Sequence, residues 1–445
     1  MDEAADVDNR REMSTAASPR CRDGRVASTG VIPTNPRAML TAVTGPRGAG
    51  FRRFWLATSV SVLGTWMAAI ALSIRMYDVT GSPGWVSALL FAEFVPSVLI
   101  GLLLGNRLNK LRVRRAMVSC DLGSAVIFGL LALIDTPWAV VALAGTAGIA
   151  VGVFRPLATA AVPMLVSDHE LERATGAIAS ADNSMTFLGA VLGGVLVGGV
   201  GADVALGLNA VSFLISAAVI ASCAALAGAG SSAPQAGHHL GPVVQRIATS
   251  PVLRQIAVGW TLTTLVLGAV IAVQVPLLRG TYDARPAAVG ALLGLTSLGL
   301  VVGSLFAGSR RFGRAAYPLS LAGIGASAMI TGAAPHMALA GFGLLLLGIF
   351  NGVAVIVNRT RVVRDTEPAE RAGLVSFLIS LSLIGQGAGT IGGGVVAAAV
   401  SPRWAFVAFG LLALTIAAPV ALSIGPRAEW VLTPSPWADA DDAGR

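Results

Sequence analysis

Apolar residues dominate twelve stretches of this chain, and each stretch is about as long as a helix that crosses a bilayer. Short polar connections separate the stretches. Backbone N–H and C=O groups find no water inside a bilayer, so such stretches are stable as helices, which pair these groups internally. The pattern therefore predicts an all-α integral membrane protein with twelve transmembrane helices.

The predicted helices form two sets of six. The first set covers residues 54–77, 85–105, 116–134, 138–160, 175–200 and 204–228, and the second covers 254–279, 286–308, 316–334, 336–358, 372–400 and 404–424. A stretch rich in Gly, Ser, Pro and His separates the sets and predicts an interdomain linker. We therefore predict one bundle over residues 51–229, a cytoplasmic linker over 230–250 and a second bundle over 251–424.

The two halves repeat short sequences in the same order. Residues 84–90 (GWVSALL) align with residues 287–293 (AAVGALL), and the same register places 105–107 (GNR) over 308–310 (GSR). Two similar halves of equal orientation imply a pseudo-two-fold axis along the membrane normal. Such halves can rock about a central site, which favours a transporter.

Basic residues mark one side of the predicted membrane protein. The connections after the second and eighth helices carry Arg107, Lys110, Arg112, Arg114, Arg115, Arg310, Arg311 and Arg314. The opposite connections carry Asp78, Asp135, Asp203 and Asp283. By the positive-inside rule the basic side faces the cytoplasm. We expect a multi-pass protein of the cell inner (plasma) membrane with both termini in the cytoplasm.

Composition excludes several other classes. With 55% hydrophobic and 12% charged residues, the chain lies outside the range of soluble proteins, which carry about a quarter charged residues. The net charge of +8 resides in short connections, so we predict no nucleic-acid partner. The three cysteines form no CxxC or Cys/His cluster, so we predict no metal and no cofactor. Residues 1–50 and 425–445 are expected to be cytoplasmic tails, the first of them disordered, and Met13 or Met39 is an alternative start.

The order of local motifs resembles the major facilitator superfamily over residues 54–424, and within it bacterial exporters of the enterobactin-exporter type. After the second helix that family carries Gly-x-Leu-Ala-Asp-Arg-x-Gly-Arg-Arg, and here residues 105–115 read GNRLNKLRVRR. In the family the aspartate belongs to a gating charge network, so Asn109 in its place implies a weaker latch. Asp121 and residues 154–156 (FRP) also match, whereas Ser124 and residues 189–194 (GAVLGG) depart from the exporter pattern.

Glu93 is the acidic residue placed deepest in a predicted helix, with apolar neighbours on both sides. An ionised side chain in hydrocarbon costs roughly 2.5 to 3.5 kcal/mol on insertion scales, so it usually faces a cavity or a partner. We predict that Glu93 couples proton movement to transport. The alternative is that it pairs with a cation and only fixes helix packing.

The other candidate residues fall into two groups. The predicted gating charge network consists of Asn109, Lys110, Arg112, Asp121 and Arg155. The candidates for the cavity wall are Asp182, Asn183, Gln274, Asn351, Asn358, Arg359 and Gln386. Alternatives stay open for both groups. They are a structural ion pair for Asp121 and Arg155, the cap of a kink for Asp182 and Asn183, an anchor that snorkels to headgroups for Arg359, and packing contacts for the neutral side chains Gln274, Asn351 and Gln386. Arg75 is expected to pair with Asp78, three residues on, and a role in an external gate is the alternative.

The function that these features favour is secondary active transport. We predict a monomeric, proton-coupled exporter of small amphipathic or siderophore-like molecules, in which two bundles in the lipid bilayer alternate access to a small-molecule substrate. An importer of the same fold and a transport-inactive membrane scaffold or sensor are the alternatives. No Walker motif and no catalytic cluster occurs in the predicted helices, so we do not predict an enzyme.

Overall fold

A computed structural model describes residues 48–108, 111–226, 240–313, 315–364, 366, 368–422 and 433–434. Twelve long helices lie within these residues. They are α1 Ala49–Thr80, α2 Pro83–Leu108, α3 Val113–Leu131, α4 Pro137–Leu165, α5 Leu171–Val200, α6 Ala202–Ser222, α7 Pro251–Gly280, α8 Pro286–Gly308, α9 Ala316–Ala333, α10 Met337–Arg364, α11 Pro368–Ala399 and α12 Pro402–Leu422.

Proline marks the start of half of these helices. Six of the twelve begin with proline, which lacks the N–H that the first turn of a helix cannot use. Most bounds lie within a few residues of the predicted ones. The largest differences, of five or six residues, are at the start of α1, which begins at Ala49, at the ends of α4 and α10, which run on to Leu165 and Arg364, and at the end of α6, which stops at Ser222.

The predicted linker is not irregular throughout. A linker helix, Leu240–Thr249, precedes α7 and packs against α7 and α11. Its Ile247 contacts the apolar cluster that contains Leu253, because its apolar residues recur at helical spacing. Two short strands, β1 (Arg310–Arg311) and β2 (Thr433–Pro434), pair antiparallel. The predicted tail over residues 1–50 lies almost wholly outside the described residues, as does most of 425–445.

Helices pair in the same way in the two halves. In the first half α1 packs on α5, α2 on α4, and α3 on α6; in the second half α7 packs on α11, α8 on α10, and α9 on α12. Each partner in the second half lies six helices after its counterpart. The sequence repeat therefore corresponds to two bundles with one packing scheme, α1–α6 and α7–α12.

The bundles meet through α5 with α8 and through α2 with α11. We call the end with the α2–α3 and α8–α9 connections the basic end and the opposite end the far end. At the far end one apolar cluster contains residues of both bundles, among them Ile74, Ala190 and Leu293. At the basic end each cluster draws on one bundle only, around Phe54 in the first and around Tyr317 in the second. Among the described residues the core is therefore continuous across the bundles only at the far end.

Ten helices of the described chain are long and apolar enough to cross a membrane. The two that fall outside this set are α3 and α9. Helix α3 carries Arg114, Arg115 and Asp121 in a length of 19 residues. These three charged residues lower its mean hydropathy, although α3 has the same place in its bundle as predicted.

Candidate transport cavity and gates

The far end is closed by close contact between α5 and α8. Gly194 and Gly290 lie against each other, and a Cβ atom added to either would overlap the backbone of the other helix. One turn further along α8, Gly294 faces the side chain of Val191. Small residues allow this approach because no side chain separates the two backbones. Gly194 and Gly290 therefore form a contact between the bundles.

Helices α2 and α11 make the second contact between bundles. Gly394 of α11 lies against the side chain of Ser87, and Gly387 of the same helix faces Val95. Both contacts lie in the half of α2 nearer the far end. The two pairs of helices therefore close the same end of the molecule.

An ion pair also joins the bundles at the far end. Asp78 lies in the last turn of α1 and Arg279 in the last turn of α7, and the Arg279 Nε donates to Asp78 Oδ1 at 2.8 Å. A second guanidinium nitrogen lies 2.7 Å from the same oxygen. Beside this pair, the Tyr77 side chain packs on Gly280, where a Cβ would clash. Neither residue was predicted to reach across the bundles.

Arg75 does not pair with Asp78, so that expectation is wrong. Its guanidinium pairs with Asp135 and lies 2.9 Å from Asp203, and it donates to the Leu131 carbonyl at 2.9 Å. The physical reason is that the Arg75 side chain extends towards the α3–α4 connection and the start of α6. Two carboxylates and two backbone carbonyls lie close together there. Arg75 therefore ties three elements of the first bundle at the far end.

The second bundle has a corresponding tie of different chemistry. The Tyr282 hydroxyl donates to the Ala334 carbonyl at 2.8 Å, and the Arg403 guanidinium lies over the Tyr282 ring, 5.3 Å from its centroid. Burial raises the pKa of Tyr282, against a lowering by Arg403, so the hydroxyl stays protonated and remains a donor. Sequence patterns gave no signal for this contact.

At the basic end the bundles are apart and leave a cavity of about 540 Å³. Residues at the start of α5 line one side, and Arg359 of α10 lines the other. The lining residues of α5 are Leu171, Glu172, Thr175, Gly176 and Ala179. Because a helix has 3.6 residues per turn, Glu172 and Gly176 share a face with Ala190 and Gly194, which lie 18 residues further on. One face of α5 thus contacts the other bundle at the far end and borders open space at the basic end.

The predicted cavity residues of the first bundle lie on this face. Asp182 and Asn183 are exposed, one helical repeat of seven residues beyond Thr175 and Gly176. Arg155 of α4 is also exposed, and its positive charge acts on the Asp182 carboxylate. These three side chains can therefore present both signs of charge to a solute that enters from the basic end.

Glu93 lies further in. It follows Pro83 by ten residues, which places it about 15 Å along α2 from the far end, near the middle of a bilayer. Its side chain is partly exposed, and its backbone carbonyl packs on Gly148 of α4. Arg155 lies two turns beyond Gly148, roughly 10 Å towards the basic end. Within the described residues no hydrogen bond or ion pair holds the Glu93 carboxyl group.

The predicted gating charge network is only partly visible. Asn109 and Lys110 lie outside the described residues, and Arg112 is exposed at the start of α3. Asp121 is 2% exposed and faces Ser216 of α6 rather than Arg155. It follows Val113 by eight residues, so it lies about 12 Å into α3 rather than close to the end of the helix, as the sequence suggested.

The polar candidates of the second bundle lie mostly inside it. Gln274 and Asn358 are buried at 8% and 5% exposure, and the side-chain oxygens of Asn351 and Asn358 lack a hydrogen-bond donor within the described residues. The backbone carbonyl of Gln386 packs on Gly268 and accepts a hydrogen bond from the Thr390 hydroxyl at 2.9 Å. The structure thus brings Arg359 to the cavity, while a substrate role for the neutral residues stays a prediction. No group of three or more His, Cys, Asp or Glu among the described residues could hold a metal ion.

Comparison with known proteins decides the family. The profile of the Major Facilitator Superfamily matches residues 54–278, which is half of the chain. The chain belongs to this superfamily. As a member, it is a multi-pass membrane transporter whose helices lie in lipid and whose substrate is a small molecule.

Two relatives match most of this chain and most of their own length. The chain is 26% identical to the uncharacterized MFS-type transporter y4rN of Sinorhizobium fredii (strain NBRC 101917 / NGR234), over 84% of this chain and 94% of that protein. It is 23% identical to the uncharacterized MFS-type transporter YfiS of Bacillus subtilis (strain 168), over 80% and 89%. Both names give the superfamily and no substrate, so the enterobactin-exporter type stays a prediction.

Several solved structures share the fold of this chain at low sequence identity. The nucleoside transporter NupG superposes with a TM-score of 0.63 at 14% identity, over 85% of this chain and all of that one. A bacterial homolog of the human lysosomal transporter Spinster, in an inward-facing and unoccupied conformation, superposes with a TM-score of 0.66 at 14% identity, over 85% and 98%. At this identity the likeness concerns the fold alone.

Proposed function

We propose that this protein is a proton-coupled exporter of small amphipathic or siderophore-like molecules that works by rocker-switch alternating access. The observation that carries the proposal is the contrast between its ends. The bundles touch through α5 with α8 and α2 with α11 at the far end, and they part around a cavity at the basic end. A transporter that alternates access adopts such a shape when it is open to one side only.

The distribution of charge supports the export direction. The positive-inside rule places the basic end in the cytoplasm, together with both termini, so the cavity opens to the cytoplasm. An exporter loads its cargo from that side. Amphipathic cargo suits a cavity whose mouth carries Glu172 and Arg359 while most of the helix surface around it is apolar.

The position of Glu93 supports coupling to protons. Its carboxyl group lies near the middle of the bilayer, and within the described part of the chain it has no cation to balance a negative charge. An ionised carboxylate at this depth is expensive, so Glu93 holds a proton while the pocket is empty. Cargo that offers a positive charge or hydrogen-bond donors replaces that proton, and the exchange links export to proton entry.

Reconstituted protein tests the proposal. Purified protein in liposomes is given a pH gradient and a panel of amphipathic fluorescent dyes and ferric siderophores, and dye or iron movement against its own gradient is measured. Glu93→Gln should lower gradient-driven flux at least tenfold, because the amide cannot release a proton. Asp283→Asn is the matched control: it changes an exposed acid at the far end, and asparagine tolerates its left-handed backbone (φ 48°).

The outcomes separate the alternatives. Wild-type flux in the Glu93→Gln variant would contradict the coupling role, and flux driven only in the inward direction would make the protein an importer. Wild-type protein that moves no member of the panel under any gradient would contradict transport of this cargo class.

A further inference from the structure

We propose that the first bundle binds a sodium ion between α3 and α6, held by the carboxylate of Asp121 and the hydroxyl of Ser216. The site lies inside the bundle, whereas the cavity at the basic end lies between α5 and α10. The inference does not depend on the cargo, on the direction of transport or on Glu93, which belongs to α2.

Asp121 has no charge partner in the described part of the chain. Its side chain is 2% exposed, its Oδ2 accepts no hydrogen bond there, and no ion pair includes it. Arg114 and Arg115 of α3 lie seven and six residues before it, about 10 Å towards the basic end, and Arg114 donates instead to the Ala221 carbonyl at 3.4 Å. A buried carboxylate without a counter-charge is costly. Asp121 therefore either keeps a proton or binds a cation.

Helix α6 presents polar side chains to this carboxylate. Ser216 faces Asp121 and is fully buried, and its hydroxyl has no hydrogen-bond partner within the described residues. One turn away, the Ser212 hydroxyl donates to the Asn209 backbone carbonyl at 2.8 Å and lies 3.1 Å from the side-chain oxygen of the same residue. Asn209, Ser212 and Ser216 are spaced by three and four residues, so they share one face of α6.

Helices α1 and α3 add two more buried hydroxyls. Gly64 of α1 lies against the Ser212 side chain, where a Cβ would overlap it. Because α1 and α6 run in opposite directions, Ser61, one turn before Gly64, lies at the level of Ser216. Ser124 of α3 lies one turn beyond the acid, and Ser61 and Ser124 are 6% and 3% exposed. The buried polar cluster of the first bundle thus consists of Ser61, Asp121, Ser124, Asn209, Ser212 and Ser216.

The chemistry of the buried polar cluster favours sodium. Its one acid is Asp121, so a single positive charge gives a neutral site, whereas a divalent ion would leave excess charge inside the bundle. Carboxylate and hydroxyl oxygens are the ligands that hard cations prefer. A proton on Asp121 would occupy one oxygen, whereas a metal ion contacts several oxygens at once. Hydroxyl groups on three adjoining helices therefore suit sodium better than a proton.

A sodium ion at this place joins two helices that pack on each other, α3 and α6. The apolar side chains of Leu122 and Val126 are exposed on α3, so its outer face suits lipid while Asp121 points into the bundle. The ion binds the folded protein and not the unfolded chain, which lacks the assembled oxygens. Sodium should therefore stabilise the folded state.

Purified full-length protein in detergent tests this inference. Protein prepared in choline chloride is titrated with NaCl or KCl at constant ionic strength and at one mildly alkaline pH. The unfolding temperature is followed by tryptophan fluorescence, and bound sodium is counted with radioactive sodium at equilibrium. Sodium should raise the unfolding temperature by several degrees, potassium should raise it less, and one sodium ion should bind to each chain.

Two variants locate the ion. Asp121→Asn keeps the shape of the side chain and removes its charge, so it should abolish both the temperature shift and sodium binding. Ser216→Ala should raise the sodium concentration for half of the shift about tenfold or more, since loss of even an indirect partner of a metal ligand costs that much affinity. The matched controls are Asp283→Asn, an exposed acid at the far end, and Ser222→Ala, an exposed serine of α6 whose hydroxyl donates to the Val219 carbonyl. Both controls should bind sodium as the wild type does.

Three results would overturn the proposal. The first is an equal unfolding temperature in sodium and in choline, which is the outcome for a carboxyl group that keeps its proton. The second is a shift that potassium reproduces in full, and the third is wild-type sodium binding in either Asp121→Asn or Ser216→Ala. If Asp121→Asn does not fold, Ser216→Ala and the wild type decide the question. Failure of the export proposal is a separate result, since it appears as missing flux in liposomes while the protein still binds sodium.

Discussion

The two ends of the molecule differ in how they hold the bundles. At the far end, backbones touch at Gly194 and Gly290, and one ion pair joins Asp78 to Arg279. At the basic end, the apolar clusters stay within their own bundles, and charged side chains face a cavity. Closure of the far end therefore depends on small residues, on an apolar cluster to which both bundles contribute and on an exposed ion pair.

The largest expected effect comes from the glycine contact. Gly290→Val places a side chain where the backbone of Ala190 and Gly194 lies, and overpacking of this kind typically costs about 1 to 3 kcal/mol. The variant should open the far end. In protein with Cys21, Cys120 and Cys223 replaced by serine, the thiol of Val191→Cys should then react faster with a membrane-impermeant reagent when Gly290→Val is present than when it is absent. Gly199→Val is the control because a Cβ there meets nothing within 4 Å. Equal labelling of the two variants would show that the contact does not hold the far end closed.

The next effect is a loss of stability on removal of Arg75, which joins elements of the first bundle at the far end. Arg75→Gln leaves Asp135 and Asp203 without their cation, and Arg75 is only 12% exposed. Breaking a buried pair costs roughly 3 kcal/mol when one partner remains, and exposure of the two acids reduces this. The unfolding temperature in detergent should fall by several degrees, with the distances between bundles unchanged. A normal unfolding temperature, or a shift in those distances, would contradict the assignment of Arg75 to the first bundle alone.

The smallest expected effect belongs to the corresponding tie of the second bundle. Tyr282→Phe removes the hydrogen bond to the Ala334 carbonyl but keeps the ring under Arg403. The loss should be about 1 kcal/mol, seen as a small fall in the unfolding temperature. Tyr282→Ala should cost more, because the cation–π contact adds about 0.5 to 1 kcal/mol at an exposed site. If Tyr282→Phe were as harmful as Arg75→Gln, the two ties would not differ in the way proposed.

The architecture was accessible from sequence because it depends on apolar length and on repeats. Helix α8 has the predicted bounds, and most of the others differ by a few residues, since proline and glycine mark where the apolar stretches begin and end. The depth of Glu93 was also predictable, because counting residues along a helix measures distance.

The ion pairs were not accessible because they depend on which helix ends meet. Arg75 has Asp78 as its nearest acid in sequence, yet it binds Asp135 and Asp203. Glu172 was not among the predicted site residues, and its place at the cavity follows only from the separation of α5 and α10. Asp121 was expected near Arg155, but the rotation of α3 turns it towards α6.

The glycine crossing lies off-centre, and this has a mechanical consequence. Gly194 is 23 residues from the start of α5 and six from its end, distances of about 35 Å and 9 Å. A bundle that turns about this crossing is a lever with unequal arms, so its long arm sweeps about four times as far as its short one. A narrow opening between the bundles on one side of the membrane then corresponds to a wide opening on the other side.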